Sequence, residues 1–131
     1  MRIFLTILFL SPLLWNCGSH ESTIHHLSPA DFKTTLANTT PHQLIDLRTD
    51  QEVGQGVIGD AHQIDIYKSD FEEQISKLNK NQPVFLYCAV GGRSAQAAKY
   101  LSEQGFARIY NLTNGIRSWI EAGNPINPIH Q

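Results

Sequence analysis

The sequence predicts an α/β domain with a central, mostly parallel sheet flanked by helices on both faces. First, apolar stretches of strand length alternate along the chain with stretches of helical periodicity, the order that builds parallel sheets. Second, residues 83–87 (PVFLY) form a continuous apolar run, which is typical of a strand covered on both faces. Third, 131 residues with 41% hydrophobic content suit a single domain with one core.

Five strands are predicted from apolar runs bounded by polar residues, glycine or proline. They are Thr23–Leu27, 43–47, 63–66, 83–87 and Arg108–Leu112. Asp46 stands out because the rest of the second strand is largely apolar. We expect Asp46 to cap a turn or to pair with Arg48, and Arg93 is the other candidate partner. Arg48 and Glu52 are predicted to form a structural ion pair near the end of this strand.

Four helices are predicted between the strands. The first begins at Pro29, because Ser28 is a favoured N-cap and proline is favoured at the first helical position, and it ends within residues 38–41. The later helices are predicted at about 70–79, 93–104 and 115–122. Glycine follows each of the last two and closes it. Trp119, on the last helix, is expected to pack in the core.

Composition argues against several classes of function. Lys and Arg total 10 against 12 Asp and Glu, a net charge of -2, so no basic excess is present to neutralise nucleic-acid phosphates. Two cysteines are too few for a disulfide framework or a four-cysteine zinc site. The six histidines are scattered along the chain without metal-ligand spacing. We therefore predict no metal, no cofactor and no nucleic-acid partner.

The first sixteen residues, MRIFLTILFLSPLLWN, differ from the rest of the chain. Arg2 is their only charge and a long apolar stretch follows it, which is the pattern of a signal peptide. The apolar run is shorter than the roughly 20 residues that a membrane-spanning helix needs. Residues 1–16 are therefore set apart from the domain at 24–127, with residues 17–23 as a tether.

The end of this segment, Leu14-Trp15-Asn16-Cys17, resembles a bacterial lipoprotein signal, in which leucine lies three residues before the lipidated cysteine. The resemblance implies cleavage before Cys17 and attachment of lipid to Cys17. The protein would then be exported and anchored in a bacterial cell envelope, facing the periplasm or the exterior. A cleaved signal without lipid and an uncleaved apolar anchor stay open as alternatives.

The segment that follows the strand at 83–87, residues 88–94, carries the candidate chemistry and is called the Cys88 loop below. It comprises Cys88, Ala89, Val90, Gly91, Gly92, Arg93 and Ser94. Glycines let backbone N–H groups turn inward, the following helix adds the positive end of its dipole, and Arg93 adds a cation. Together they form an anion-binding cup with sulfur at its base.

Such surroundings favour thiolate over thiol, and they lower the pKa of a cysteine from about 8.5 to roughly 3.5–7.5 in known cases. The alternative is that Cys88 is a small buried hydrophobic residue and that the two glycines mark an ordinary turn. Ser94 is expected to be the N-terminal cap of the helix, with its hydroxyl as a further candidate for facing the cup.

Three sequence blocks in order resemble rhodanese-homology domains. The first is LIDLR at 44–48 with Glu52, Gly56 and Ile58. The second is YCAVGGRSAQAA at 87–98. The third is YNL at 110–112 with Gly115, Trp119, Gly123 and Pro125. The match covers roughly residues 24–127. It implies a small, single-domain α/β sulfurtransferase with a mostly parallel sheet.

By this resemblance, Cys88 accepts sulfane sulfur from a small anionic donor such as thiosulfate and becomes a persulfide. It then passes the outer sulfur to cyanide or to a thiol, with a protein thiol as one candidate. The amides of residues 89–94 would stabilise the persulfide, and Arg93 would help to hold the anionic donor.

Other classes of function stay in view. Ala89 replaces a basic residue that the family often has after the cysteine, and this favours a non-enzymatic persulfide carrier or partner-binding module. An inert scaffold is a further alternative. Cysteine-dependent phosphatases and arsenate reductases of similar fold place arginine six residues after cysteine, whereas Arg93 lies five residues after Cys88.

Overall fold

The structure, a computed structural model, describes residues 21–128. Its strands are β1 (Thr23–Leu27), β2 (Gln43–Asp46), β3 (His62–Gln63), β4 (Val84–Tyr87) and β5 (Arg108–Leu112). They form one five-stranded sheet in the order β1-β5-β4-β2-β3, and every pair of neighbouring strands is parallel. One isolated antiparallel bridge joins Val57 to Asn127. The predicted α/β class with a mostly parallel sheet is confirmed.

The helices are α1 (Pro29–Asn38), α2 (Asp50–Val53), α3 (Phe71–Ser76), α4 (Gly92–Glu103) and α5 (Gly115–Glu121). Helix α1 begins as predicted, with the Ser28 hydroxyl accepting a hydrogen bond of 3.2 Å from the backbone N–H of Asp31. Helix α4 begins at Gly92 and ends at Glu103, so it lies one residue earlier than predicted at both ends.

Helix α2 was not predicted from the sequence, although a signal for it was present. Thr49 and Glu52 form a capping box, in which the Thr49 hydroxyl accepts from the Glu52 N–H and the Glu52 carboxylate accepts from the Thr49 N–H. The pattern Thr-x-x-Glu announces such a helix start. The helix has only four residues, too few to show an apolar periodicity.

Two predicted elements are shorter than the sequence suggested. The strand predicted at 63–66 is reduced to β3, although the Ile64 N–H still donates to the Asp46 carbonyl oxygen across 2.9 Å. A turn follows at residues 66–67, where the Asp65 carboxylate accepts a 2.9 Å hydrogen bond from the Tyr67 N–H. Helix α3 ends at Ser76 rather than near residue 79, and a tighter turn, from Leu78 N–H to Ile75 O, follows it.

Apolar side chains pack on both faces of the sheet. On one face, with α3 and α4, the core contains Ile45, Leu47, Ile75, Val84, Leu86, Cys88, Ala97, Ala98, Leu101, Phe106 and Ile109. On the other face, with α1 and α5, it contains Phe32, Leu44, Ile58, Phe85, Tyr87, Leu112, Ile116 and Trp119. All four residues of β4 are buried, as the apolar run predicted. Trp119 lies in the core, which is also as expected.

The predicted signal peptide (1–16) and the predicted lipid attachment site, Cys17, lie outside the described residues. Within residues 21–128, no helix combines the length and the apolar character needed to cross a membrane.

Candidate functional site

The Cys88 loop lies at the carboxyl edge of the sheet, between its most buried strand and a long helix. Strand β4 ends at Tyr87, Cys88 follows directly, and α4 begins at Gly92. In parallel α/β sheets this edge is where ligands bind, because the loops there meet beside the helix N-termini. The fold therefore places the candidate nucleophile at the favoured position.

Hydrogen-bond donors of the Cys88 loop converge on sulfur. The Gly91 N–H donates to Cys88 Sγ across 3.1 Å. The backbone N–H groups of Val90 and Ser94 and the Ser94 hydroxyl also lie close enough to lower the pKa of the Cys88 thiol. A ring of this kind stabilises negative charge on Sγ without a neighbouring base.

Two opposing effects set the pKa of Cys88. Burial raises the pKa of the thiol, because a buried thiolate loses its hydration. The hydrogen bonds from Ser94, Gly91 and Val90 lower it, and they outweigh burial, so the pKa of Cys88 lies below its ordinary value. The structure therefore favours an activated thiol over an inert buried cysteine.

Cys88 has no exposed surface, its relative accessibility being 0%. Neighbouring atoms therefore cover Cys88 in this conformation. Val90, in the same loop, is among the few large apolar residues that are exposed within residues 21–128, at 53%.

Only one of the two loop glycines adopts a conformation that requires glycine. Gly91 has φ of +100°, and a Cβ added there would lie 2.9 Å from the backbone nitrogen of Asn114. Gly92 is the first residue of α4, and a Cβ there would have nothing within 4 Å. Gly91 is therefore the residue that lets the loop turn its amides toward sulfur.

The sequence suggested that Ser94 is the N-cap of α4, and this prediction is wrong. The N-cap position belongs to Gly91, and Ser94 lies within the first turn, fully buried. Its hydroxyl lies 3.2 Å from the Gly91 carbonyl oxygen. The hydroxyl also lowers the pKa of the Cys88 thiol, and its role in the cup stays a prediction.

Arg93 is turned toward Glu52 and pairs with both oxygens of its carboxylate. The distances are 2.8 Å from Nη1 to Oε2 and 2.6 Å from Nη2 to Oε1. The ring of Tyr67 stacks near the guanidinium, with its centroid 5.6 Å from Cζ. The hydrogen bonds from Arg93 lower the pKa of Glu52 to about 2, against some opposition from burial, and Thr49 adds to the effect.

The predicted ion pair between Arg48 and Glu52 is therefore wrong. The Arg48 guanidinium binds the buried carboxylate of Asp46, with Nη2 to Oδ2 at 2.7 Å and Nε to Oδ1 at 2.9 Å. It also donates to the carbonyl oxygens of Glu52 and Gly56. Asp46 also accepts from the Arg48 N–H, so it both caps the turn and pairs with Arg48, as expected.

Ala89 and Gly92 enter the site differently from the other loop residues. The Ala89 carbonyl oxygen accepts a hydrogen bond of 3.2 Å from the Arg117 N–H, and the Cys88 carbonyl accepts one of 2.9 Å from the Ile116 N–H. Both donors belong to the first turn of α5. Gly92 is exposed at the start of α4. Backbone N–H groups of a second helix, α5, thus also hold the Cys88 loop in place.

Gly115 makes that contact possible, and sequence reasoning did not assign it a role at the site. A Cβ on Gly115 would lie 2.4 Å from the Cys88 carbonyl oxygen, and the residue has φ of +62°. Only glycine lets α5 approach the loop backbone so closely. The available signal was the Asn-Gly pair between β5 and α5, since that dipeptide favours left-handed turns.

A small recess adjoins the outer side of the Cys88 loop. Its volume is about 220 Å³, and it is lined by His26, Val90, Gly91, Ala95, Asn111, Thr113 and Asn114. The Asn111 amide nitrogen contacts His26 Nδ1 at 2.9 Å, whereas its Oδ1 has no hydrogen-bond partner in the described part of the chain. Across residues 21–128, no group of three His, Cys, Asp or Glu side chains is placed to hold a metal ion.

Comparisons with known proteins show the family to which the chain belongs. The family model described as Rhodanese-like domain matches residues 28–122. The chain belongs to the rhodanese-like domain family. It is 36% identical over 103 residues to a protein named Sulfurtransferase from Allochromatium vinosum, covering 79% of this chain and 94% of that protein. It is 34% identical over 104 residues to the putative sulfurtransferase YtwF of Bacillus subtilis, covering 79% and 98%.

Solved structures agree with the rhodanese-like fold. A rhodanese-like domain protein from Staphylococcus aureus superposes with a TM-score of 0.66 at 29% identity, covering 79% of this chain and 98% of that one. The fold and family predicted from the three sequence blocks are therefore confirmed. The roles assigned to the individual residues of the Cys88 loop stay predictions.

Proposed function

We propose that this rhodanese-like domain is a sulfurtransferase in which Cys88 carries sulfane sulfur as a persulfide. The observation that carries the proposal is the hydrogen bond from the Gly91 N–H to Cys88 Sγ, to which Ser94 and Val90 add in lowering the pKa of the thiol. These donors stabilise a thiolate before transfer. They also suit the terminal sulfur anion of a persulfide, which needs the same kind of donor.

With thiosulfate as donor, the Cys88 thiolate attacks the outer, sulfane sulfur. A bond forms between Sγ and that sulfur, the sulfur–sulfur bond of thiosulfate breaks, and sulfite leaves with the bonding electron pair. Cyanide or a thiolate acceptor then attacks the outer sulfur, and the Cys88 thiolate is the leaving group. Each step returns charge to an atom that the Cys88 loop can stabilise, so no metal or cofactor takes part in this scheme.

The test is a thiosulfate-to-cyanide assay on the purified chain, with Cys88→Ser as the matched variant. We expect wild-type turnover, loss of turnover in Cys88→Ser, and one added sulfur atom on Cys88 by intact mass after thiosulfate treatment. Wild-type protein that shows neither turnover nor added sulfur with any sulfane donor would contradict the proposal.

A non-enzymatic persulfide carrier or partner-binding module is the second candidate. One observation favours it: Ala89 supplies no cation after Cys88. A carrier would acquire the added sulfur on Cys88 but would turn over negligibly in the assay. The same pair of measurements therefore separates the two candidates.

We also propose that the mature chain is exported and anchored to a bacterial cell envelope by lipid on Cys17. Support comes from the apolar segment at 1–16 and from the leucine three residues before Cys17. Intact mass of the native protein would report cleavage and acylation together. Unchanged processing and membrane partition in Cys17→Ala would remove this proposal without affecting the one on Cys88.

A further inference from the structure

The positive charge of Arg93, the cation of the Cys88 loop, is balanced by Glu52. Arg93 and Glu52 form two parallel hydrogen bonds of 2.8 Å and 2.6 Å, the bidentate geometry in which guanidinium and carboxylate match best. Arg93 is close enough to Cys88 for the two charges to interact. An approaching donor therefore meets an arginine whose charge is balanced by a carboxylate.

Glu52 is itself held in place. Its Oε2 accepts hydrogen bonds of 2.9 Å from the Thr49 N–H and 3.0 Å from the Thr49 hydroxyl, which fix the carboxylate at the start of α2. The pKa of Glu52, lowered to about 2, keeps it anionic throughout the neutral range. The carboxylate therefore does not leave Arg93 through protonation.

Nearby cations do not replace Arg93. Arg48 is bound to the buried carboxylate of Asp46, and Lys68 pairs with Asp50. The residue after Cys88 is Ala89, which carries no charge. Once Cys88 is a thiolate, the sulfur, Arg93 and Glu52 together carry one net negative charge.

The two classes of sulfane donor differ in how strongly this charge opposes them. Attack on thiosulfate brings a thiolate against a dianion, and sulfite leaves as a dianion. Attack on a hydropersulfide R–S–SH forms the Sγ–S bond, breaks the S–S bond of the donor, leaves the proton on the transferred sulfur and releases R–S⁻. The second reaction concentrates less negative charge at the site, so it needs less compensating positive charge.

We propose that Glu52 is a specificity-determining residue, which by engaging Arg93 selects uncharged or singly charged hydropersulfide donors over the thiosulfate dianion. This inference rests on the proposed sulfur transfer through Cys88. It assigns the donor class from the pairing of the arginine, and it gives Glu52 a role in discrimination rather than in the chemical step.

The experiment measures the second-order rate of sulfur loading onto Cys88 of the full chain, by intact mass after quenching. The two donors are thiosulfate and an alkyl hydropersulfide R–S–SH, generated in situ, whose alkyl group carries no charge. In Glu52→Gln we expect the ratio of the thiosulfate rate to the hydropersulfide rate to rise about tenfold, which corresponds to about 1.4 kcal/mol. The ratio is the readout because a change in thiolate content alters both rates together.

Glu73→Gln is the matched control, because Glu73 pairs with Lys77 on the exposed face of α3. It should leave the ratio unchanged. An unchanged ratio in Glu52→Gln, with both donors loading the wild type, would overturn this inference alone. Wild-type protein that no donor loads would overturn the proposed function instead.

A measurement on the wild type keeps the inference testable even if Glu52→Gln folds poorly. Salt screens interactions between charges near a surface. If the site repels the dianion, the thiosulfate rate rises with ionic strength while the hydropersulfide rate changes little. A thiosulfate rate that falls with ionic strength would show attraction by an available Arg93 and would contradict the inference.

Discussion

The reactivity of Cys88 depends on a balance between burial and a few short-range hydrogen bonds. The sulfur is fully buried, which penalises the thiolate, yet donors from Ser94, Gly91 and Val90 reverse that penalty. Ser94 contributes twice, through its hydroxyl and through its backbone N–H. The hydroxyl is the part of this arrangement that a single substitution removes without altering the backbone.

We predict that Ser94→Ala raises the pKa of Cys88. The reason is that the thiolate loses the hydroxyl donor while its burial stays the same. The measurement is the rate of iodoacetamide alkylation as a function of pH, and its midpoint should move to higher pH than in the wild type. Ser102→Ala, at the other end of α4, is the control and should leave the midpoint unchanged. Coincident midpoints for wild type and Ser94→Ala would contradict the prediction.

Two helices, α4 and α5, fix the shape of the Cys88 loop. Helix α4 begins inside the loop and contributes its free N–H groups, while the first turn of α5 binds the carbonyl oxygens of Cys88 and Ala89. The contact with α5 requires Gly115, and the turn into α4 requires Gly91. The shape of the cup is therefore a property of β4, α4 and α5 together.

Gly91→Ala and Gly92→Ala should differ sharply. An alanine at 91 must adopt φ near +100° with its Cβ 2.9 Å from the Asn114 nitrogen, whereas an alanine at 92 meets nothing within 4 Å. We expect Gly91→Ala to cost at least about 1–3 kcal/mol of unfolding free energy and to slow alkylation of Cys88. Gly92→Ala should change stability by less than about 1 kcal/mol in either direction. Urea denaturation measures both, and equal costs would be inconsistent with the loop geometry.

Across the whole domain, two charged pairs tie the segment after β2 to the rest of the molecule. Arg48 and Asp46 lie within the core edge, with 4% and 0% of their side chains exposed. Glu52 and Arg93 join α2 to α4 and are partly exposed. The first pair is buried. The contribution of the second pair to the free energy of unfolding depends on pH, because the pKa of Glu52 is lowered.

Arg48→Met should destabilise the domain by about 3–5 kcal/mol, because it leaves the Asp46 carboxylate buried without its partner. The carbonyl oxygens of Glu52 and Gly56 also lose a donor. Arg117→Met is the comparison, since Arg117 lies 3.9 Å from Glu121 at the surface and its loss should cost less than about 1 kcal/mol. Unfolding in urea measures both free energies. Similar values would show that the Asp46 pair is not the stabilising contact inferred here.

The Glu52 pair predicts a pH dependence of stability. The folded pKa of Glu52 is lowered to about 2 from an ordinary 4.5, so the unfolded chain binds this proton more tightly. The contribution of Glu52 is therefore complete above about pH 4.5 and is lost as the pH falls toward 2. In urea titrations at a series of pH values, Glu52→Gln should lose less stability over that interval than the wild type. Glu73→Gln should follow the wild-type curve, and parallel curves for all three proteins would refute the assignment.

Local sequence information determined most of the secondary structure and the position of Cys88 at the end of a buried strand. Proline, serine and glycine mark the ends of α1, α4 and α5, and the apolar run at 83–87 marks the strand that leads into Cys88. Helix α2 and the shortened β3 were missed or misjudged, because each is too short to show a periodicity. Short elements depend on side-chain caps and turns rather than on periodicity, as the Thr49–Glu52 capping box of α2 shows.

What only the tertiary structure decided is how the charges pair and what holds the loop. The sequence shows Arg48, Glu52 and Arg93 as candidates for ion pairs. Which of them pair depends on where α2 and α4 meet, because Glu52 and Arg93 are 41 positions apart. The approach of α5 to the loop likewise joins distant segments. Local propensity arises from a residue and its neighbours, whereas ion pairs and backbone contacts are settled by which elements the packed core brings together.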